Sequence, residues 1–95
     1  MAEENIVDYT TGVFKRNYTL EGCKYYYIVA PEFYGNDEGL DFTGAMLVTL
    51  CYPKGTIFFK MVYDEDNGNF VPENPGLAID RQLLLSISEA IHRTV

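Results

Sequence analysis

The sequence predicts an α+β protein in which an antiparallel, strongly curved β-meander of about five to six strands packs on one C-terminal α-helix. Three observations carry that prediction. From residue 13 to residue 71, runs in which apolar and polar residues alternate are separated by turn-forming residues. From residue 79 to residue 91 the apolar period changes to that of a helix. One helix about 10 Å across is also too narrow to cover five strands spaced ~4.8 Å apart, so a flat sheet is excluded unless a partner covers it.

Residues 1–5 offer little to bury and are expected to fray, with order beginning near Ile6 and a single domain spanning 6–95. After a turn at Thr10-Thr11-Gly12, residues 13–20 set Phe14, Arg16, Tyr18 and Leu20 against Val13, Lys15, Asn17 and Thr19, the pattern of a strand. Glu21-Gly22 is a tight-turn signal leading into a second strand over 23–30, rich in tyrosine. Pro31 interrupts the pattern, and the glycines and short polar residues of 34–39 predict a loop. Strands over 43–52 and 56–64 follow, joined by Pro53-Lys54-Gly55 as a bulged hairpin. Asn67-Gly68 predicts a further hairpin to a short strand at 69–71, ended by Pro72.

The breaker cluster at 72–76 precedes a helix that either Asn74 or Asp80 can cap. Ile79, Leu83, Leu84, Ile87, Ala90 and Ile91 form its core-facing stripe, while Gln82, Ser86, Ser88, Glu89 and Arg93 face away. Asp80 at the start and His92 and Arg93 at the end agree with the helix dipole, as does a Glu89 to Arg93 pair one turn apart. Leu85 lies off the stripe.

Apolar residues make up 47% and charged residues 22% of the 95, which excludes a disordered or fibrous chain. The longest apolar runs fall far short of the ~20 residues of a membrane span. Cys23 and Cys51 lack a C-x-x-C spacing and no apolar leader opens the sequence, so reduced thiols and a cytoplasmic location are expected. Net charge is −7, and it is unevenly placed. Residues 31–42 hold Glu32, Asp37, Glu38 and Asp41 without a base, and residues 63–75 hold Asp64, Glu65, Asp66 and Glu73 without a base. The rest of the chain, with seven bases and six acids, sums to +1.

Chemistry-bearing motifs are scarce. If Asp64 opened an EF-hand loop, Gly68 would fall at position 5 and Pro75 at position 12, where a glycine at 6 and a bidentate glutamate are needed. The only histidine, His92, sits on the polar face of the helix, away from a walled cleft. Two isolated cysteines and one histidine do not make a zinc set, and neither a catalytic residue, a metal nor a cofactor is expected. Lys15, Arg16 and Lys24 are too few for a phosphate track, so direct nucleic-acid binding is not expected either.

These observations predict a small acidic intracellular protein-binding module, an inhibitor of the immunity or anti-defence type, that docks carboxylate-rich loops on a basic partner surface. Glu32, Asp37, Glu38, Asp41, Asp64, Glu65 and Asp66 are the candidate partner-binding residues. The alternative is a homodimeric structural or assembly subunit using an exposed apolar sheet face, with Tyr26, Phe58 and Leu85 as candidate interface residues. A third reading makes the loop carboxylates a metal-dependent or enzymatic site.

Overall fold

A computed structural model describes residues 13–94, apart from the side chains of Asn36 and Thr94. The expected fraying of residues 1–5, the onset of order at Ile6 and the turn at Thr10-Thr11-Gly12 lie outside the described residues. Among the described residues five strands, β1 (Phe14–Leu20), β2 (Cys23–Asn36), β3 (Gly39–Tyr52), β4 (Gly55–Asp64) and β5 (Asn69–Pro72), precede the helix α1 (Arg81–Thr94). The strands pair antiparallel in sequence order, and the sheet curls into a half-barrel with α1 in its concave side.

Turn chemistry sets the register. Glu21 and Gly22 both have positive φ, 51° and 82°, the signature of a type I′ turn, whose twist matches the flanking strands. Leu20 therefore pairs with Cys23 and Phe14 with Val29. Pro53-Lys54 forms a two-residue connection pairing Tyr52 with Gly55, tighter than the bulged hairpin expected. Gly55 joins the strand, with φ at 158°, instead of filling a left-handed turn position.

The loop expected at 34–39 is a correction. β2 continues through Pro31 to Asn36, and only Asp37 and Glu38 form the turn before β3 begins at Gly39. Proline is tolerated because the ladder is already irregular there, with a bulge between Pro31 and Phe33. Two 14-residue strands extend ~45 Å, which accounts for the molecule's longest dimension of 44 Å.

The core lies between the concave face and α1. Phe14 from β1, Tyr27 and Val29 from β2, Met46, Val48 and Leu50 from β3 and Met61 from β4 meet Leu83, Ile87, Ala90 and Ile91. Ile79 packs on this core from just before the helix, and Leu84 from within it. Asp80 is the cap, accepting a hydrogen bond from Gln82 N–H at 2.7 Å, whereas Asn74 accepts from Gly76 N–H at 3.0 Å and organises the breaker cluster. Glu89 and Arg93 pair at 3.3 Å as their spacing predicts.

Ser88 corrects the predicted polar face. It is 2% exposed, and its Oγ accepts a hydrogen bond from Phe70 N–H at 2.8 Å. Curvature is the reason. The two edge strands, β1 and β5, are those whose backbones come nearest the helix, so flanks that a flat sheet would leave in water are covered. Glu73 N–H donates to Lys60 C=O at 2.8 Å, and antiparallel alternation then turns residues 71 and 69 toward β4 and residues 70 and 72 outward. Ser88 satisfies Phe70, and Pro72 has no N–H, so this edge presents no free donor from either residue.

Ser88→Ala is expected to cost about 1–3 kcal/mol, because it strands the Phe70 N–H beside the helix. Ser86→Ala, which removes only a 3.5 Å contact with the Tyr27 hydroxyl, is expected to cost less. Urea unfolding of both variants checks the order, and equal midpoints would refute it.

Candidate functional site

Strand alternation and antiparallel return bring the two acidic segments to one end of the sheet. The turns at 21–22 and 53–54 lie at one end, with Lys24 and Lys54, while the turns at 37–38 and 65–68 lie at the other. Asp37, Glu38, Asp41, Asp64, Glu65 and Asp66 therefore share an end, although β2 and β3 carry the first three farther out. From the last rung shared with β4, Ala45 to Val62, β3 runs six residues to Gly39, about 20 Å of unsupported two-stranded arm. Glu73 separates from its neighbours in sequence, since the return of β5 places it beside Lys60 in mid-sheet.

The carboxylates differ in what holds them. Asp64 is an organiser of its own turn, accepting from Asp66 N–H at 3.1 Å and from the Asn67 side-chain amide, while its carbonyl accepts from Gly68 N–H at 2.8 Å. Glu65, Asp66, Asp37, Glu38 and Asp41 are exposed. Glu32 is clamped at the base of the arm. Its carboxylate lies 3.0 Å from Lys60 Nζ and accepts from Thr43 Oγ1 at 2.9 Å, while Thr43 Oγ1 accepts from Ala45 N–H at 3.1 Å. This chain of contacts crosses the bulge and fixes the arm's direction.

The faces of the arm are unlike. Phe33 pairs with Phe42 and Gly35 with Leu40, so these four share one face, continuous with the concave side. Tyr34 pairs with Asp41 on the other face, the side on which Glu32 meets Lys60 and Thr43. The ring centroids of Phe33 and Phe42 are 6.0 Å apart, and Leu40 lies over Gly35, where a Cβ would sit 3.0 Å from Leu40 Cδ2. Yet Phe33, Leu40 and Phe42 remain 46%, 71% and 52% exposed. The sequence pattern does not reveal them, because strands expected to end at residue 30 and to resume at 43 leave residues 31–42 with no faces.

The candidate assembly residues occupy two surfaces. Tyr26 and Phe58 lie on the convex face, Tyr26 in the row with Asn17, Cys51 and Thr56, and Phe58 in the next row with Lys15, Ile28 and Thr49. Phe58 is 74% exposed. Leu85 is on the outer flank of α1 and shares no surface with them; with Tyr18, Gln82, Ser86 and Glu89 it lines a shallow groove.

His92 makes edge-on contacts with Tyr63 and Phe70, at centroid distances of 6.0 and 5.5 Å, near the end of α1. Among the described residues, no three His, Cys, Asp or Glu side chains converge closely enough to hold a metal ion, and no helix is long and apolar enough to cross a membrane. Compared with family models, with curated proteins and with solved structures, the chain matches none.

The Glu32–Lys60 pair carries the resolved pKa perturbations. The hydrogen bond from Lys60, then that from Thr43, holds the Glu32 carboxyl below its ordinary value of 4.5 against the opposing effect of burial. The hydrogen bond to Glu32, opposed by desolvation and aided by the charges of Glu32 and Glu73, raises Lys60 above 10.5. Glu32 therefore contributes stability that is fully present above its unfolded pKa and lost as pH falls through the lowered native value; Lys60 contributes stability present below its unfolded pKa and lost as pH rises through the raised one. Glu32→Gln should lower the melting temperature between about pH 6 and pH 9, with the gap to wild type closing below about pH 4. A gap unchanged down to pH 3 would show that the ion pair contributes nothing.

Proposed function

We propose that the protein is a protein-binding module that docks its acidic end on a basic partner surface, in the manner of an intracellular inhibitor. The observation that supports this most directly is topological: six carboxylates from segments more than twenty residues apart in sequence fall at one end of the sheet. Such an end raises the local concentration of a cationic partner and sets the approach, because complementary potentials accelerate encounter and reject like-charged surfaces. Glu65 and Asp66 present the near part of this field, and Asp37, Glu38 and Asp41 the far part. Glu32 and Asp64 serve it indirectly, one by fixing the arm and the other by shaping the turn.

The second reading, a homodimer through the sheet, has its own support in the convex face. Phe58 at 74% and Leu47 at 41% exposure lie there with Tyr26, Ile28 and Val62. An exposed apolar face of this kind suits a symmetric, self-complementary contact.

Affinity capture from the source cells tests the first reading. Wild type is expected to retain a partner at low ionic strength and to release it as salt rises, since exposed charges farther apart than about 8–10 Å are screened near physiological salt. Reversal of Asp37, Glu38 and Asp41, or of Glu65 and Asp66, should weaken capture. A partner retained equally by both reversed forms would rule out acidic docking.

A further inference from the structure

The β2–β3 arm departs from the rest of the acidic end in carrying a coherent apolar face. Phe33, Leu40 and Phe42 stand together on one side of a ribbon that leaves the core, and Gly35 gives Leu40 room to lie flat against the backbone. Tyr34 and Asp41 take the other side, and Asp37 and Glu38 the tip. Large hydrophobes clustered at this exposure mark an interaction surface.

Charge decides what covers it. A second copy laid face to face would bring two arms together, each with three exposed carboxylates, Asp37, Glu38 and Asp41, and no base between residues 31 and 42, on molecules of net charge −7. A partner with cations around an apolar patch meets no such repulsion. It gains the contacts of the three side chains while Asp37, Glu38 and Asp41 meet its rim, the arrangement of an apolar centre inside a polar border found in specific interfaces.

We infer that the arm is the docking element of the proposed acidic site, and that its apolar face inserts Phe33, Leu40 and Phe42 against an apolar patch bordered by lysine or arginine, as on an amphipathic cationic helix. The inference rests on the protein-binding reading and goes further in assigning the affinity to the apolar face and the salt dependence to the carboxylates. The Glu32–Lys60 and Glu32–Thr43 contacts support it by holding the arm rigid at its base, which lowers the ordering cost of docking.

The test uses the full chain, isotope-labelled, with three synthetic probes: an amphipathic leucine–lysine helix, a leucine–glutamate helix of the same pattern, and an oligolysine of the same charge as the first. The leucine–lysine helix should bind with shifts centred on the amides of Phe33, Gly35, Leu40 and Phe42, and bind at least about 10-fold more tightly than oligolysine. Leu40→Ser, at a position exposed enough to leave folding intact, should lose about 10-fold in affinity with an unchanged salt slope. Charge reversal at Asp37 and Glu38 should flatten that slope. Equal binding of oligolysine and the leucine–lysine helix overturns the apolar face while leaving acidic docking standing. Failure of both cationic probes overturns both. Binding of the leucine–glutamate helix, or a dimer mass by light scattering that falls to monomer with Leu40→Ser, overturns the charge argument and gives the arm to a different occupant.

Discussion

Among the described residues, the fold depends on one narrow helix having to cover the face of a five-stranded sheet. A helix is about 10 Å wide and the flat sheet would be ~24 Å, so the concave face is filled only because the sheet curls until both edges reach α1. The Phe70 N–H to Ser88 Oγ bond is where that closure is recorded most directly. An edge strand has unpaired backbone groups that invite other chains, and here the helix supplies the missing acceptor at the only outward-facing β5 residue with an N–H to offer. Curvature thus serves two ends together: it brings the aliphatic stripe of α1 onto Met46, Val48 and Leu50, and it closes β5.

Among the described residues, covering the concave side leaves the convex side and the far end without an element packed on them. α1 is about 21 Å long, less than half the length of β2 and β3, so it cannot cover them end to end and their outer parts leave the core. A two-stranded ribbon on its own is marginal in water, and three devices keep this one ordered. The bulge turns the ribbon out of the barrel, Glu32 bridges Lys60 and Thr43 across its base, and the Phe33 ring packs at a tilt against Phe42. Each of these acts locally, so the arm's geometry does not rely on the core for more than its point of attachment.

Much of this was legible in the sequence where a residue pattern reports one local decision. Glu21-Gly22 specifies its turn, the stripe from Leu83 to Ile91 specifies a helix, and Asp80 specifies its start. The misread parts are those where a distant contact overrides a local signal. Pro31 is a poor strand residue and Gly35 a turn former, yet the pairing of β2 with β3 carries the ladder past both to a last rung at Asn36 and Gly39, since cross-strand contacts outweigh weak intrinsic preferences. Ser88 looks solvent-facing from helical phase alone; it is buried because β5 arrives from the opposite flank, which phase does not encode. The clustering of negative charge was visible as two sequence segments, but their meeting at one end follows from the meander, and the departure of Glu73 from that cluster follows from the return of β5.

The arm combines two features that work against each other in isolation. An apolar strand pair projecting from a small protein is an aggregation hazard, and natural sequences blunt such strands with charge. Asp37, Glu38 and Asp41 do this within the ribbon itself. At 10 Å in water a single pair of like charges costs only about 0.4 kcal/mol, but every carboxylate on one arm meets several on another, and the small penalties add over all such pairs. That repulsion opposes the meeting of Phe33, Leu40 and Phe42 with their counterparts on a second copy. In the proposed docking role the same carboxylates attract cations, so the charge that keeps copies apart would also select which surfaces reach the apolar face. Neither feature alone would distinguish a partner: acids without the apolar face would attract any basic surface, and the apolar face without the acids would favour its own copy.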